Sequence, residues 1–271
     1  MITEYIQKTK EATFSIELPH PTKKLPVPTG TGFFVSPDGW FVTAAHVVTE
    51  NGQPNGKVRG DIASAFLQKE TYYNDEGKLQ MGGMCPGNEG LDFIDPNFDF
   101  ALIKVDFEKN KMREGFKNRD GFPYLQMSSR SLIEGESVYS FGYPLSQNKI
   151  HENGGMIVGE TSLSPRTTSA IVSSLIDATQ TVQTPNMPKV YVLDKALNYG
   201  NSGGPILSAE DGKVYALCSR FQPFFIPQGH LTQPGKPTVQ IMSPSLYGIV
   251  SRLNNKRILD ELQKRGIQID K

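Results

Sequence analysis

Cysteine is scarce: only Cys85 and Cys218 occur in 271 residues. Small secreted domains lean on several disulfides, and two thiols cannot supply such a framework. The two could pair, but nothing in the sequence demands it. Cys218 closes an apolar run, Val214-Tyr215-Ala216-Leu217-Cys218, and reads as a buried free thiol. Excess charge is also missing, since 28 Lys+Arg balance 28 Asp+Glu. A dedicated nucleic-acid binder needs a basic surface, so no nucleic-acid partner is expected. No stretch approaches the roughly 20 apolar residues of a membrane span, and no membrane association is expected. The first residues, Met1-Ile2-Thr3-Glu4-Tyr5, lack the basic and apolar regions of a signal peptide. Together these absences predict a cytoplasmic protein.

What is present suits an all-β protein. Hydrophobic residues make up 37% and charged residues 21%, the balance of an ordinary globular chain. Twenty-six glycines and nineteen prolines are spread through it. Residues 1–27 read as an arm closed by Pro21 and Pro26. Gly32–Val35 and Trp40–Thr43 are strand-like. Between them Ser36-Pro37-Asp38-Gly39 is a turn, because proline presets φ, aspartate bonds the local backbone and glycine takes positive φ. Short strands are expected at 62–68, 78–81 and 98–105. In the second half they are expected at 137–141, 155–162, 170–174, 190–193, 205–207, 214–218, 240–242 and 246–250. Short, regularly spaced strands with turn signals predict barrels or a sandwich. From about Asn254, the recurrence of Ile258, Leu259 and Leu262 predicts a helix, with Gly266 as its C-terminal cap.

Three segments carry chemistry. Gly200-Asn201-Ser202-Gly203-Gly204-Pro205 sets a serine in a glycine turn, where substrate can approach the backbone closely. The amides of Gly200 and Ser202 can then point at one oxygen, as an oxyanion hole requires. Thr43-Ala44-Ala45-His46-Val47-Val48 brings one of only four histidines to the end of a strand. Phe98-Asp99-Phe100-Ala101-Leu102-Ile103 offers a carboxylate just before a buried strand. Asp92 and Asp95 compete for that role, and Asp99 is preferred because the apolar strand follows it at once. Ser202 as nucleophile, His46 as base and Asp99 as the group that orients the imidazole make a catalytic triad. Gly30-Thr31-Gly32 lacks the following helix of a phosphate loop and reads as the start of a strand. Phe221, Phe224, Phe225 and Ile226 form an apolar cluster that either packs locally or walls a cleft.

In their order and wording these motifs resemble the trypsin-like (chymotrypsin-fold) serine peptidases, and within them the disulfide-free HtrA/Deg branch. Phe141-Gly142-Tyr143-Pro144 and Leu193-Asp194-Lys195-Ala196-Leu197-Asn198 extend the resemblance, which covers about residues 28–252. It implies two six-stranded antiparallel β-barrels, residues 28–120 bearing His46 and Asp99 and residues 121–252 bearing Ser202. Residues 253–271 would form a helix packed on the second barrel. The chain leaves no residues after that helix for the PDZ domain typical of HtrA proteins. The resemblance also implies a protein or peptide substrate, an S1 site formed by Ala196, Leu197 and Ser219, and neither metal nor organic cofactor. Ser219 stands where a family residue can bond the triad aspartate. Ala196 stands where an aspartate would select a basic P1 residue, so an apolar P1 preference is expected. The alternative is a latent module of the same fold, awaiting an activating protein partner.

Overall fold

The computed structural model describes residues 2–19, 26–61, 66–73, 79–84, 90–112, 116, 119–153, 156–176, 190–232 and 238–271. Cys85 lies outside them. The chain opens with helix α1 (Ile2–Ala12) and strand β1 (Thr13–Pro19), not with an arm. The reason is visible in Thr13-Phe14-Ser15-Ile16-Glu17-Leu18, where every second residue is apolar. Phe14, Ile16 and Leu18 are all buried in the core. β1 pairs with β2 (Pro26–Phe34) on one side and β4 (Phe66–Tyr73) on the other. With β3 (Trp40–Thr43), β5 (Leu79–Met84), β6 (Leu91–Asp95) and β7 (Phe100–Lys104) they build a seven-stranded sheet ordered β5-β4-β1-β2-β3-β7-β6.

The β2–β3 connection forms the expected tight turn. Gly39 takes φ 103°, and the Trp40 amide donates to Ser36 Oγ at 3.1 Å. A Cβ at Gly39 would sit 1.9 Å from the Val105 carbonyl oxygen, so only glycine fits. Behind this hairpin Phe34 stacks on Phe122 at 4.2 Å between ring centroids. Phe14 and Phe41 meet Phe34 edge-on, which gives the first half an aromatic core.

The remaining strands are β8 (Met127–Ser128), β9 (Ser137–Gly142), β10 (Gln147–Asn153), β11 (Met156–Ser162), β12 (Arg166–Ile176), β13 (Val190–Leu193), β14 (Pro205–Ser208), β15 (Val214–Leu231), β16 (Val239–Arg252) and β17 (Ile269–Asp270). β14-β9-β12-β13-β16-β15 run in order, and β14 also pairs with β15, so these six strands close into a ring. Val138, Val172, Tyr191, Leu193, Ile206, Tyr215 and Val250 fill it. β8 and β17 extend the sheet, and β10 and β11 form a separate ribbon. The segments expected as 214–218, 240–242 and 246–250 are parts of one long hairpin, β15–β16, in which Phe221 pairs with Gly248. Phe221, Phe224, Phe225 and Ile226 therefore belong to a strand and not to a loop.

Helix α2 (Lys256–Lys264) is capped by Asn255, whose side chain accepts from the Arg257 amide. Arg265 is its C-cap, and Gly266 follows at φ 72°. The helix was expected to pack on the second barrel, and the core it joins includes Leu207, Val214 and Leu217 from that half together with residues of the first. Ile258 and Leu262 join the core that includes Phe14, Phe33 and Phe100. Arg257 Nε lies 2.8 Å from Asp95 Oδ2 on β6, and Arg265 pairs with Asp92. The two aspartates that compete with Asp99 in sequence thus serve to tie the C-terminal helix to the first sheet.

Candidate active site

β3 ends at Thr43, and the chain enters a 3-10 turn at Ala45–Val47 that carries His46. The β6–β7 turn delivers Asp99 in the left-handed region, φ 48°, which aspartate tolerates better than most residues. The two segments clasp each other. The Ala45 amide donates to the Asp99 carbonyl at 3.1 Å. The His46 amide donates to Asp99 Oδ1 at 2.9 Å, and His46 Nδ1 lies 2.8 Å from Asp99 Oδ2. Ser219 Oγ, at the base of β15, donates to the same Oδ2 at 2.5 Å. A carboxylate held by three partners fixes the ring plane, and an Nδ1–H donated to it leaves Nε2 as the acceptor. The His46 side chain keeps 19% of its surface accessible and that of Asp99 only 8%, so the imidazole faces outward and the carboxylate is buried. Cys218 is buried beside them. Burial, and then the charge of Asp99, push its thiol well above its ordinary pKa, so it stays protonated and inert.

The serine turn is fixed separately. The Asn201 amide donates to the Asn198 carbonyl at 3.0 Å, and Gly200 takes φ 96° while Tyr199 keeps φ negative. This is the sign pattern of a type II turn, which wants glycine at its third position. Among the described residues, neither the Gly200 nor the Ser202 amide donates to a backbone carbonyl. Gly203, φ 83°, could not be replaced, because a Cβ there would lie 2.2 Å from Thr43 Oγ1 and 2.7 Å from the Ala44 nitrogen. The serine turn therefore lies directly against the segment leading into His46.

Thr31, on β2, holds it there. Its amide donates to the Ser202 carbonyl at 2.8 Å, and its Oγ1 donates to the Gly200 carbonyl at 2.5 Å. Its own carbonyl accepts from Thr43 Oγ1 at 2.8 Å. From the other side the Gly203 amide donates to the Cys218 carbonyl at 2.6 Å and the Cys218 amide to the Gly204 carbonyl at 2.8 Å. Cys218 precedes Ser219, so the serine turn is also linked to Asp99. Thr31 was missed in the sequence because it reads as the start of a strand. Its flanking glycines were the available signal: a Cβ at Gly30 would lie 2.6 Å from Val47 and 2.9 Å from the Ser202 carbonyl oxygen.

Of the residues expected at S1, Ala196 is half-buried and Leu197 is 3% exposed within the ring core. Ser219 is buried on Asp99. Asp194 is turned toward β12, its Oδ1 accepting from the Ile171 amide at 2.8 Å. No group of three or more His, Cys, Asp or Glu suited to a metal ion occurs among the described residues.

The chain is similar to known peptidases in sequence and in fold. Residues 30–217 match the family described as the trypsin-like peptidase domain. The chain is 27% identical over 224 residues to the mitochondrial serine protease HTRA2 of Bos taurus, covering 80% of this chain and 37% of that protein. It is 26% identical over 221 residues to serine protease HTRA3 of Homo sapiens, covering 80% and 39%. The chain thus spans little more than a third of the length of these relatives. The solved structure of an HtrA-type protease with a decapeptide superposes with a TM-score of 0.55 at 14% identity, over 99% of this chain and 68% of that one. By the family match over most of its length, the chain belongs to the trypsin-like peptidase domain family.

Proposed function

We propose that the protein is a serine endopeptidase that cleaves peptide bonds through an acyl-enzyme. One observation carries this reading: Asp99 accepts from His46 and Ser219, Thr31 donates to the carbonyls of Gly200 and Ser202, and Thr43, in the His46 segment, donates to the Thr31 carbonyl. Ser202 attacks the scissile carbonyl while His46 takes its proton. The amides of Gly200 and Ser202 receive the oxyanion, each worth on the order of 3 kcal/mol in the transition state. His46 then protonates the leaving amine and activates the water that frees the acyl group. Asp99, held by Ser219, keeps the imidazole oriented throughout.

The ring of β9 and β12–β16 is read as the second barrel, within residues 121–252. The seven-stranded sheet is read as the first, residues 28–120 joined by β1, with the reaction in the cleft between them. The substrate is a protein or peptide, and the HtrA-type protease structure with a decapeptide supports that class. With Ala196 at the base of S1 and Asp194 engaged by Ile171, a cationic P1 side chain would be desolvated without a counter-charge. An apolar one gains about 25 cal/mol per Å² buried. P1 is therefore Ala, Val, Leu or Met.

The test is cleavage of a denatured proteome by the purified chain. Ser202→Ala and His46→Ala each abolish cleavage, since triad members act as a unit. Cleavage sites are apolar at P1. Cleavage that survives Ser202→Ala removes the endopeptidase reading, and a dominant Arg or Lys at P1 removes the pocket assignment alone.

A further inference from the structure

Leu145 is an exposed leucine in the left-handed region, φ 57°, with 55% of its surface accessible. Such a backbone is unfavourable for a residue with a Cβ and persists only where its surroundings over-determine it. The side chain gains little from burial, so the backbone must be what is held. It is: the Leu145 amide donates to the Tyr199 carbonyl at 2.8 Å. The preceding turn is braced by Ser146 Oγ, which donates to the Tyr143 carbonyl at 3.0 Å and accepts from the Ser164 amide at 3.2 Å.

The partner of that amide matters. Tyr199 C=O and Gly200 N–H belong to one planar trans peptide, so they point in opposite directions. A donor fixed on the oxygen fixes the direction of the N–H. The 143–145 loop lies on one side of Gly200, where a Cβ would meet the Tyr143 oxygen at 2.5 Å and Pro144 Cα at 3.0 Å. The Gly200 N–H is therefore turned away from this loop. On the next peptide, Thr31 Oγ1 donates to the Gly200 carbonyl at 2.5 Å while accepting from the Tyr143 amide at 3.2 Å. One residue from each half of the molecule thus grips consecutive peptides of the same turn.

We propose that Leu145 and Thr31 are positioning residues that lock the Tyr199–Gly200 peptide with its N–H aimed at the developing oxyanion. The proposal rests on the endopeptidase reading. Without the Leu145 amide the peptide is free to rotate, which turns a carbonyl oxygen toward the oxyanion and removes one of the two donors. The left-handed backbone at residue 145 is what aligns that amide.

The test separates orientation of the peptide from folding. Incorporating the α-hydroxy acid of leucine at position 145 replaces the N–H by oxygen and keeps the side chain. kcat falls by about ten- to a hundredfold, approaching the loss of an oxyanion donor, with KM unchanged. The affinity of a peptide boronate, which mimics the tetrahedral adduct, falls by the same factor. Binding of an uncleaved peptide to the same chain carrying Ser202→Ala does not change. Leu145→Gly and Leu145→Asn, which accept positive φ, keep kcat within about threefold, whereas Leu145→Val, which resists it, loses activity. Thr31→Ser retains kcat and Thr31→Val loses it. Wild-type kcat and boronate affinity in the ester and in Leu145→Val would overturn the proposal. Absence of Ser202-dependent turnover in the parent chain, measured first, would overturn the endopeptidase reading and this inference with it.

Discussion

At the scale of single residues, the candidate site depends on a few buried polar atoms. Ser219→Ala removes the 2.5 Å bond to Asp99 Oδ2 and leaves that buried oxygen with His46 Nδ1 alone of its two described partners. A hydrogen bond to a charged group is worth about 1.5–3 kcal/mol, so kcat falls roughly tenfold or more while KM holds. Steady-state kinetics on a short peptide check this. Glu17, on β1, is a second sensitive point. Burial raises its carboxyl pKa from 4.5 to about 7. The folded state therefore holds the proton more tightly than the unfolded chain. Its contribution to stability is complete below pH 4.5 and fades as pH rises through about 7. Urea midpoints decline between pH 5 and 8, and Glu17→Gln flattens the decline; an identical slope in the variant would remove Glu17 as the cause. The residue types of the candidate site were legible because His46, Asp99 and Ser202 each sit in short, ordered motifs. Thr31 and Leu145 were not, since their contacts run to backbone carbonyls of a distant turn, which no local pattern announces.

At the scale of elements, β1 is the clearest lesson. Thr13–Pro19 alternates apolar and polar residues in period two, yet the prolines nearby suggested an arm. The alternation was the stronger signal, because a strand with Phe14, Ile16 and Leu18 on one face must bury that face. β1 pairs with both β2 and β4, so deleting residues 2–19 splits the seven-stranded sheet. The truncated chain is expected to lose cooperative unfolding and activity together, as circular dichroism and a proteolysis assay would report. A truncated chain that melts like the parent would contradict the assigned pairing. α2 shows a second limit of sequence reading. Its periodicity and its Gly266 cap were legible. Its attachment to β6 through Arg257 and Arg265 was not, because ion pairs between residues more than 160 positions apart leave no local trace.

At the scale of the molecule, two sheets drawn from opposite halves of the chain supply one site. The histidine and aspartate turns hang from the first sheet, and the serine turn and Ser219 from the closed ring. Thr31 joins them by donating to the carbonyls of Gly200 and Ser202. In the proposed mechanism these parts are assembled in the chain by itself, and Ser202 is activated by His46. Reaction of the purified chain with a fluorophosphonate, read by mass spectrometry of the labelled peptide, tests it most directly. One adduct is expected, on Ser202, formed by the chain alone. The adduct is absent in Ser202→Ala and slowed at least a hundredfold in His46→Ala. No labelling of the folded chain, or labelling that persists in Ser202→Ala, would contradict it.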